Sequence, residues 1–195
     1  MSQEEKNEII HNAANAYGLF LSALGLDWEN DPHMEDTPKR VSKAFVEDLF
    51  SGLYTDQPII KVFPNNEQYP GIVFQGDIEV HSMCSHHNLP FIGNAYVAYI
   101  PGTTMMGLSK LNRIVEWFAR RPNVQESLTM QIHNLINEKC LGNSGVAVMV
   151  KAKHQCACLR GVKHDSTMVT SHLSGAFKEN EAARAEFYKF IDYLK

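Results

Sequence analysis

No stretch of this chain is apolar for long enough to cross a membrane, which takes about 20 residues. Residues 1–10 are polar and acidic where a secretory leader would carry a basic start and an apolar centre, so no leader is expected. Basic charge is scarce as well. Against 22 Asp and Glu stand 18 Lys and Arg, a net −4, so no global positive field points to nucleic acid. An anionic ligand would have to be met by locally clustered Arg and Lys. Cysteine is limited to four residues, two of them with histidines close by. That usage suits metal-binding or catalytic thiols in a reducing compartment better than a disulfide framework. The expected address is the cytoplasm, with neither membrane nor nucleic acid as partner. Internal repeats, low-complexity tracts and separable linkers are also missing. At 195 residues, 44% hydrophobic and 21% charged, the chain fits one domain with an N-terminal appendage.

The apolar spacing gives an outline of the fold. Ile9, Ala13, Ala16, Leu19, Phe20 and Leu24 recur at helical intervals over about 3–24, with Gly25 as the stop. Thr37-Pro38 reads as an N-cap followed by proline, opening a helix to about Ser51-Gly52 on Val41, Phe45 and Leu49. Residues 1–70 thus form an N-terminal helical region and a connecting segment, and 71–195 the main domain. From Gly71 the period changes to that of strands: one through Ile72, Phe74, Ile78 and Val80 to Cys84, another over Asn94 to Ile100. A helix follows from near Ser109, a good N-cap, to Arg121-Pro122, then a second from about Val124 to Cys140. Val146–Val150 and a segment from about Cys158 to Ser171 read as two more strands, and a last helix covers about 179–194. The order β-β-α-α-β-β predicts an α+β domain: an antiparallel four-stranded sheet with both helices on one face. The open face and edges then call for burial against other copies.

Cys84-Ser85-His86-His87, read with His154-Gln155-Cys156, is the stretch around which the chemistry collects. Cys84 and His87 have a C-x-x-H spacing that lets a thiolate and an imidazole reach one metal ion from a tight turn, and Cys156 would add a third ligand. Three protein ligands with one open position is the arrangement of a catalytic metal. Taken alone, the same residues also read as buried thiols and satisfied core histidines.

Around them the string 84–93, then Val97–Pro101, Gly107-Leu108-Ser109-Lys110-Leu111-Asn112-Arg113, Gln125–Thr129, His154–Cys156 and Arg160-Gly161-Val162 resembles the GTP cyclohydrolase I family, as does Glu35–Val41 upstream. The resemblance covers nearly the whole chain. It implies the tunnelling fold, whose unit is this β-β-α-α-β-β order, and a toroidal homodecamer with active sites at subunit interfaces. The implied reaction is zinc-dependent hydrolytic opening of the guanine imidazole ring of GTP, giving 7,8-dihydroneopterin triphosphate and formate, the entry to pterin and tetrahydrofolate biosynthesis.

The resemblance also implies roles. Cys84, His87 and Cys156 become the Zn2+ ligands, a soft S/N/S set. His86 and His154 are left as the proton carriers, and Ser109 as a hydroxyl near the ribose as well as a cap. Arg40, Lys43, Lys110, Arg113 and Arg160 fall at phosphate-contact positions, with Lys163 a weaker addition. Glu126 stands as the acceptor for the two adjacent guanine donors, with Gln125 beside it in substrate binding; by itself a Glu opening a helix is a dipole partner. Two features depart from the family pattern: Ser85 replaces a usual Glu beside the metal, and Cys158 offers an extra thiol.

Overall fold

The computed structural model describes residues 1–194 and divides into two compact units, the first Met1–Asp56 and the second beginning at Gln57. The first unit is helical. Its α1 (Gln3–Ala23) opens on a capping box, with the Ser2 hydroxyl accepting from Glu5 N and the Glu5 carboxylate accepting from Ser2 N. It closes where Gly25 takes φ +79. The apolar stripe expected on α1 is not its buried face. Gly18 and Leu21 are buried, while Leu19 is 73% exposed and Phe20 and Leu24 are open as well. The contact that decides this is Trp28, whose ring packs on Gly18 so closely that a Cβ there would lie 2.8 Å from Cζ2.

The helix α2 (Thr37–Ala44) is capped by Asp36 instead of Thr37, without a side-chain bond, and Pro38 sits in its first turn. It does not run through to Gly52. Residues Phe45–Leu49 widen into a π-turn, with Phe50 N donating to Phe45 O at 2.8 Å, and a short α3 (Ser51–Tyr54) follows.

The second unit is α+β. A small ribbon pairs β1 (Val62–Pro64) with a later strand. The long strands β2 (Val73–Cys84) and β3 (Pro90–Ile100) form a hairpin around the Cys84 turn. Next come β4 (Thr104–Met106), the partner of β1, then α4 (Leu108–Ala119), the two-residue β5 (Pro122–Asn123) and α5 (Gln125–Lys139). β6 (Gly145–His154) leads into a single turn, α6 (Gln155–Cys158), before β7 (Thr167–Leu173). A short α7 (Ala176–Glu179) and α8 (Glu181–Asp192) complete the described chain.

The main sheet has the order β5-β2-β3-β6-β7. Its four long strands are antiparallel, but β5 pairs parallel to β2, so the sheet is mixed and five-stranded where four antiparallel strands were expected. A two-residue strand carries too little alternation to be read from sequence. The stretch from Cys158 is likewise not continuous strand: α6 and a loop intervene, and strand begins only at Thr167.

Both faces of the sheet are used. Ile78, Val80, Val97, Val148 and Val150 face α4 and α5 through Leu111, Ile114, Val115, Leu128, Ile132 and Ile136. On the other face Tyr96, Ala98 and Ala147 pack against Phe177, Phe187 and Ile191, so the C-terminal helices cover part of the side expected to be open. Gly93 lets β3 and β6 approach: a Cβ there would lie 2.0 Å from Lys151 O. Among the described residues no helix is long and apolar enough to cross a membrane.

Cys140, fully buried in the helix-side core, donates its S–H to Thr104 O at 3.3 Å. Burial pushes this thiol up to about 11 from an ordinary 9.0. The unfolded thiol therefore ionises first, the unfolded state binds fewer protons between pH 9 and 11, and stability falls as pH rises through that window. Urea unfolding of wild type and Cys140→Ala across that range should show an extra loss of about 2 kcal/mol in wild type. Parallel curves would acquit this thiol.

Candidate metal centre and its surroundings

Cys84 and His154 are 70 positions apart, and the sheet register brings them together. Met83 pairs with Pro90 across the β2–β3 hairpin, and Phe91 pairs with His154 across β3–β6. Cys84 thus ends β2 at the same edge of the sheet where His154 ends β6, and α6 turns Cys156 back towards them. One ligand atom from each of Cys84, His154 and Cys156 lies within 4.8 Å of the others. Cys84 is buried and Cys156 half-buried. Burial, and after it the neighbouring Cys84 thiol, raises the Cys156 thiol above its ordinary range. Two thiols pressed together in this way are relieved when a cation takes both as thiolates.

Of the expected ligands, the structure brings Cys84 and Cys156 into this group, and the imidazole within it is that of His154. His87 lies outside it on the exposed turn after Cys84, where Arg160 Nη1 donates to its Nε2 at 3.0 Å. The turn itself is held by His87 N and Asn88 N, which both donate to Cys84 O, and by Ser85 N, which donates to Asn123 O. Nδ1 of His86 is 3.7 Å from Cys84 Sγ. His154 lies flat on Phe91, with centroids 4.5 Å apart and planes 8° from parallel. Its Nε2 is 2.8 Å from Gln125 Oε1. Burial lowers its pKa below the ordinary 6.5, while the Glu126 charge pulls the other way.

Glu126 is exposed in the first turn of α5, and Gln125 beside it points into the core. Lys110 is half-buried and Arg113 exposed on α4. Ser109 is not the cap of that helix. Gly107 holds the cap position without a side-chain bond, and Ser109 is exposed within the first turn, its hydroxyl free of capping duty. Arg160 is near enough to Cys156 for its charge to favour the thiolate, and Lys163, in the same loop, takes φ +53. In the helical unit Arg40 pairs with Asp36 at 3.0 Å and Lys43 with Glu47 at 3.6 Å, all well exposed. Sequence reasoning gave no place to Phe91. Its position next to the Cys84 turn, in a strand paired to one ending in histidine, was the available signal.

Two thiols and an imidazole at one end of a sheet make the donor set of a metal-dependent enzyme. Residues 13–192 match the model of the GTP cyclohydrolase I family. The GTP cyclohydrolase 1 of Flavobacterium johnsoniae is 43% identical over 197 residues, covering 100% of this chain and 84% of that protein. That of Rhodopirellula baltica is 45% identical over 176 residues, covering 89% and 75%. A solved structure, archaeosine synthase QueF-Like in the apo form, covers 52% of this chain and 93% of its own at a TM-score of 0.41 and 16% identity, too slight a likeness to bear on function. The chain belongs to the GTP cyclohydrolase I family and is an enzyme of that family, a hydrolase.

If Cys84 and Cys156 hold the metal and Cys158 does not, Cys84→Ser and Cys156→Ser should fall from one metal per chain towards none. Cys158→Ser should keep its metal. Elemental analysis of the purified proteins checks this, and loss from Cys158→Ser would reassign the ligand.

Proposed function

We propose that the chain opens the guanine imidazole ring of GTP by hydrolysis, giving 7,8-dihydroneopterin triphosphate and formate, with zinc held by Cys84, Cys156 and His87. The observation that carries this reading is the meeting of two thiols beside histidines at the sheet edge. Their sulfur and nitrogen donors fit zinc better than magnesium or calcium. When bound, zinc supplies a hydrolytic nucleophile near neutral pH by acidifying water. A guanidinium can only donate, so the His87 Nε2 it faces is unprotonated; its lone pair accepts from Arg160, and that bond must open before His87 binds a metal through Nε2.

The chain's own residues do the rest. Glu126 accepts from the N1–H and exocyclic amine of guanine, and its exposure leaves both oxygens open to a ligand. Lys110, Arg113 and Arg160 meet the triphosphate, with Arg40 and Lys43 as further contacts. Attack at C8 needs N7 protonated. His86 and His154 are the groups to carry that proton and those of the later hydrolysis, and Ser109 offers a hydroxyl to the ribose. Burial lowers the pKa of His154, which favours the neutral imidazole able to accept a proton.

A ring of ten copies, each a tunnelling-fold unit, completes the proposal. Supporting it are the free edge of β7 and the exposed Leu19, Phe20 and Leu24. Four free cysteines support a reducing, cytoplasmic setting.

Zinc-loaded protein given GTP should release formate and a pterin that fluoresces after oxidation; neither product would defeat the proposal. Glu126→Gln should raise KM for GTP by about 5–150-fold, the equivalent of a lost buried acceptor, with metal content intact. His87→Ala should lose zinc while His154→Ala keeps it and loses turnover. The reverse pattern would make His154 the ligand.

A further inference from the structure

Gln125 opens α5 with its side chain turned inward, 1% exposed. Its Nε2 is 3.0 Å from Val150 O, 3.3 Å from Met168 O and 3.1 Å from Thr170 Oγ1. Two of these three are carbonyl oxygens, which only accept. The amide nitrogen must face them, because turning the amide over would press Oε1 against two acceptors in a dry site. Oε1 is thereby committed to the opposite direction, where it meets His154 Nε2 at 2.8 Å. An amide oxygen cannot donate, so the proton in that bond belongs to His154 Nε2. In the neutral imidazole Nδ1 is then bare.

The surrounding bonds lock this arrangement. Thr129 Oγ1 donates to Gln125 O at 2.9 Å, so in its 2.6 Å contact with Thr170 Oγ1 it must accept. Thr170 has then given its one proton and accepts from Gln125 Nε2. Every donor in the circuit has one direction: it starts at the histidine N–H and ends on Gln125 O. Stacking on Phe91 fixes the plane of the ring, and the Gln125 bond fixes its rotation within that plane.

We propose that Gln125 is a positioning residue: it holds His154 as the Nε2–H tautomer and leaves Nδ1 as the nitrogen that exchanges protons with substrate. The proposal rests on His154 being a proton carrier of the reaction. It divides the Gln125-Glu126 pair by direction, with the amide spent on the histidine and the carboxylate left for the ligand.

Solid-state 15N spectra of the zinc-loaded protein, labelled at histidine and assigned by difference against His154→Asn, test it. A protonated Nε2 with a pyridine-type Nδ1 is expected. A protonated Nδ1, or one bound to zinc, overturns the proposal. Gln125→Met should lower kcat by about 10²-fold with KM for GTP and metal content unchanged, the size of a mispositioned acid–base group. A rise in KM at constant kcat would make Gln125 a substrate contact and overturn it. Should a substitution unfold the protein, the wild-type spectrum decides alone. That spectrum needs no turnover, so an inactive wild type would defeat the cyclohydrolase reading without touching the tautomer.

Discussion

The site depends on one constraint, the unbroken register between β3 and β6. From Ile100 opposite Gly145 to Phe91 opposite His154, no bulge interrupts the pairing. A strand alternates faces with every residue, so a slip by one would turn His154 away from Cys84 and at the same time empty the core of Val148 and Val150. Chemistry and folding therefore exert the same demand on the same hydrogen bonds. Gly93 belongs to this constraint, since the backbone of β6 approaches β3 there more closely than any side chain would permit. The β2–β3 pair, by contrast, contains an irregularity between Gln75 and Ile78, far along the strand from Cys84.

Electrostatically, the chain is acidic overall, and the cations proposed as phosphate contacts are loosely held in each unit. The Arg40–Asp36 and Lys43–Glu47 pairs are solvent-exposed. Exposed ion pairs contribute about 0–1 kcal/mol, less in salt, so exchanging a carboxylate for a polyphosphate costs little. The same holds for Arg160, which spends a hydrogen bond on an exposed imidazole. The thiol pair is held in the opposite way. Cys84 is buried, and burial disfavours charge on Cys156, so its occupant has to bring enough charge to offset desolvation.

Much of this was legible in the residues. The helical spacing of Leu111, Ile114, Val115 and Phe118 and the alternation of Ile78 and Val80 are consequences of packing against one core, while Ile72 and Phe74, beyond the irregularity at Gln75–Ile78, pack against the cluster on the other face. The convergence of Cys84 and Cys156 was readable because a metal requires it. Other features were set by single contacts that leave no period. The π-turn at Phe45–Leu49 keeps a helical pattern of apolar residues while changing which backbone groups bond. Trp28, outside α1, decided which face of α1 is buried. The cap of α4 went to Gly107 over Ser109 because the chain reaches helical geometry two residues sooner. Phe177 and Phe187 fold back onto the second sheet face, a long-range choice that their local spacing does not reveal. The imidazole found beside the thiols is a similar case. C-x-x-H spacing is local and points to His87, whereas His154 is brought to the thiols by the pairing of β3 with β6.

That difference separates the histidines by rigidity. His154 ends a strand, is stacked on a buried ring and is bonded to an amide with no freedom of its own. His86 and His87 stand on an exposed turn whose backbone is pinned at Cys84 O, the one ring reaching Cys84 Sγ and the other the Arg160 guanidinium. Groups on strands hold an orientation more closely than groups on loops. A proton-transfer group gains from a fixed ring, because its basic nitrogen must meet the substrate at hydrogen-bond distance in one direction. On the proposed reading the clamped imidazole moves protons and the one on the turn completes the metal site, while in the structure it is the clamped ring that lies with the sulfurs.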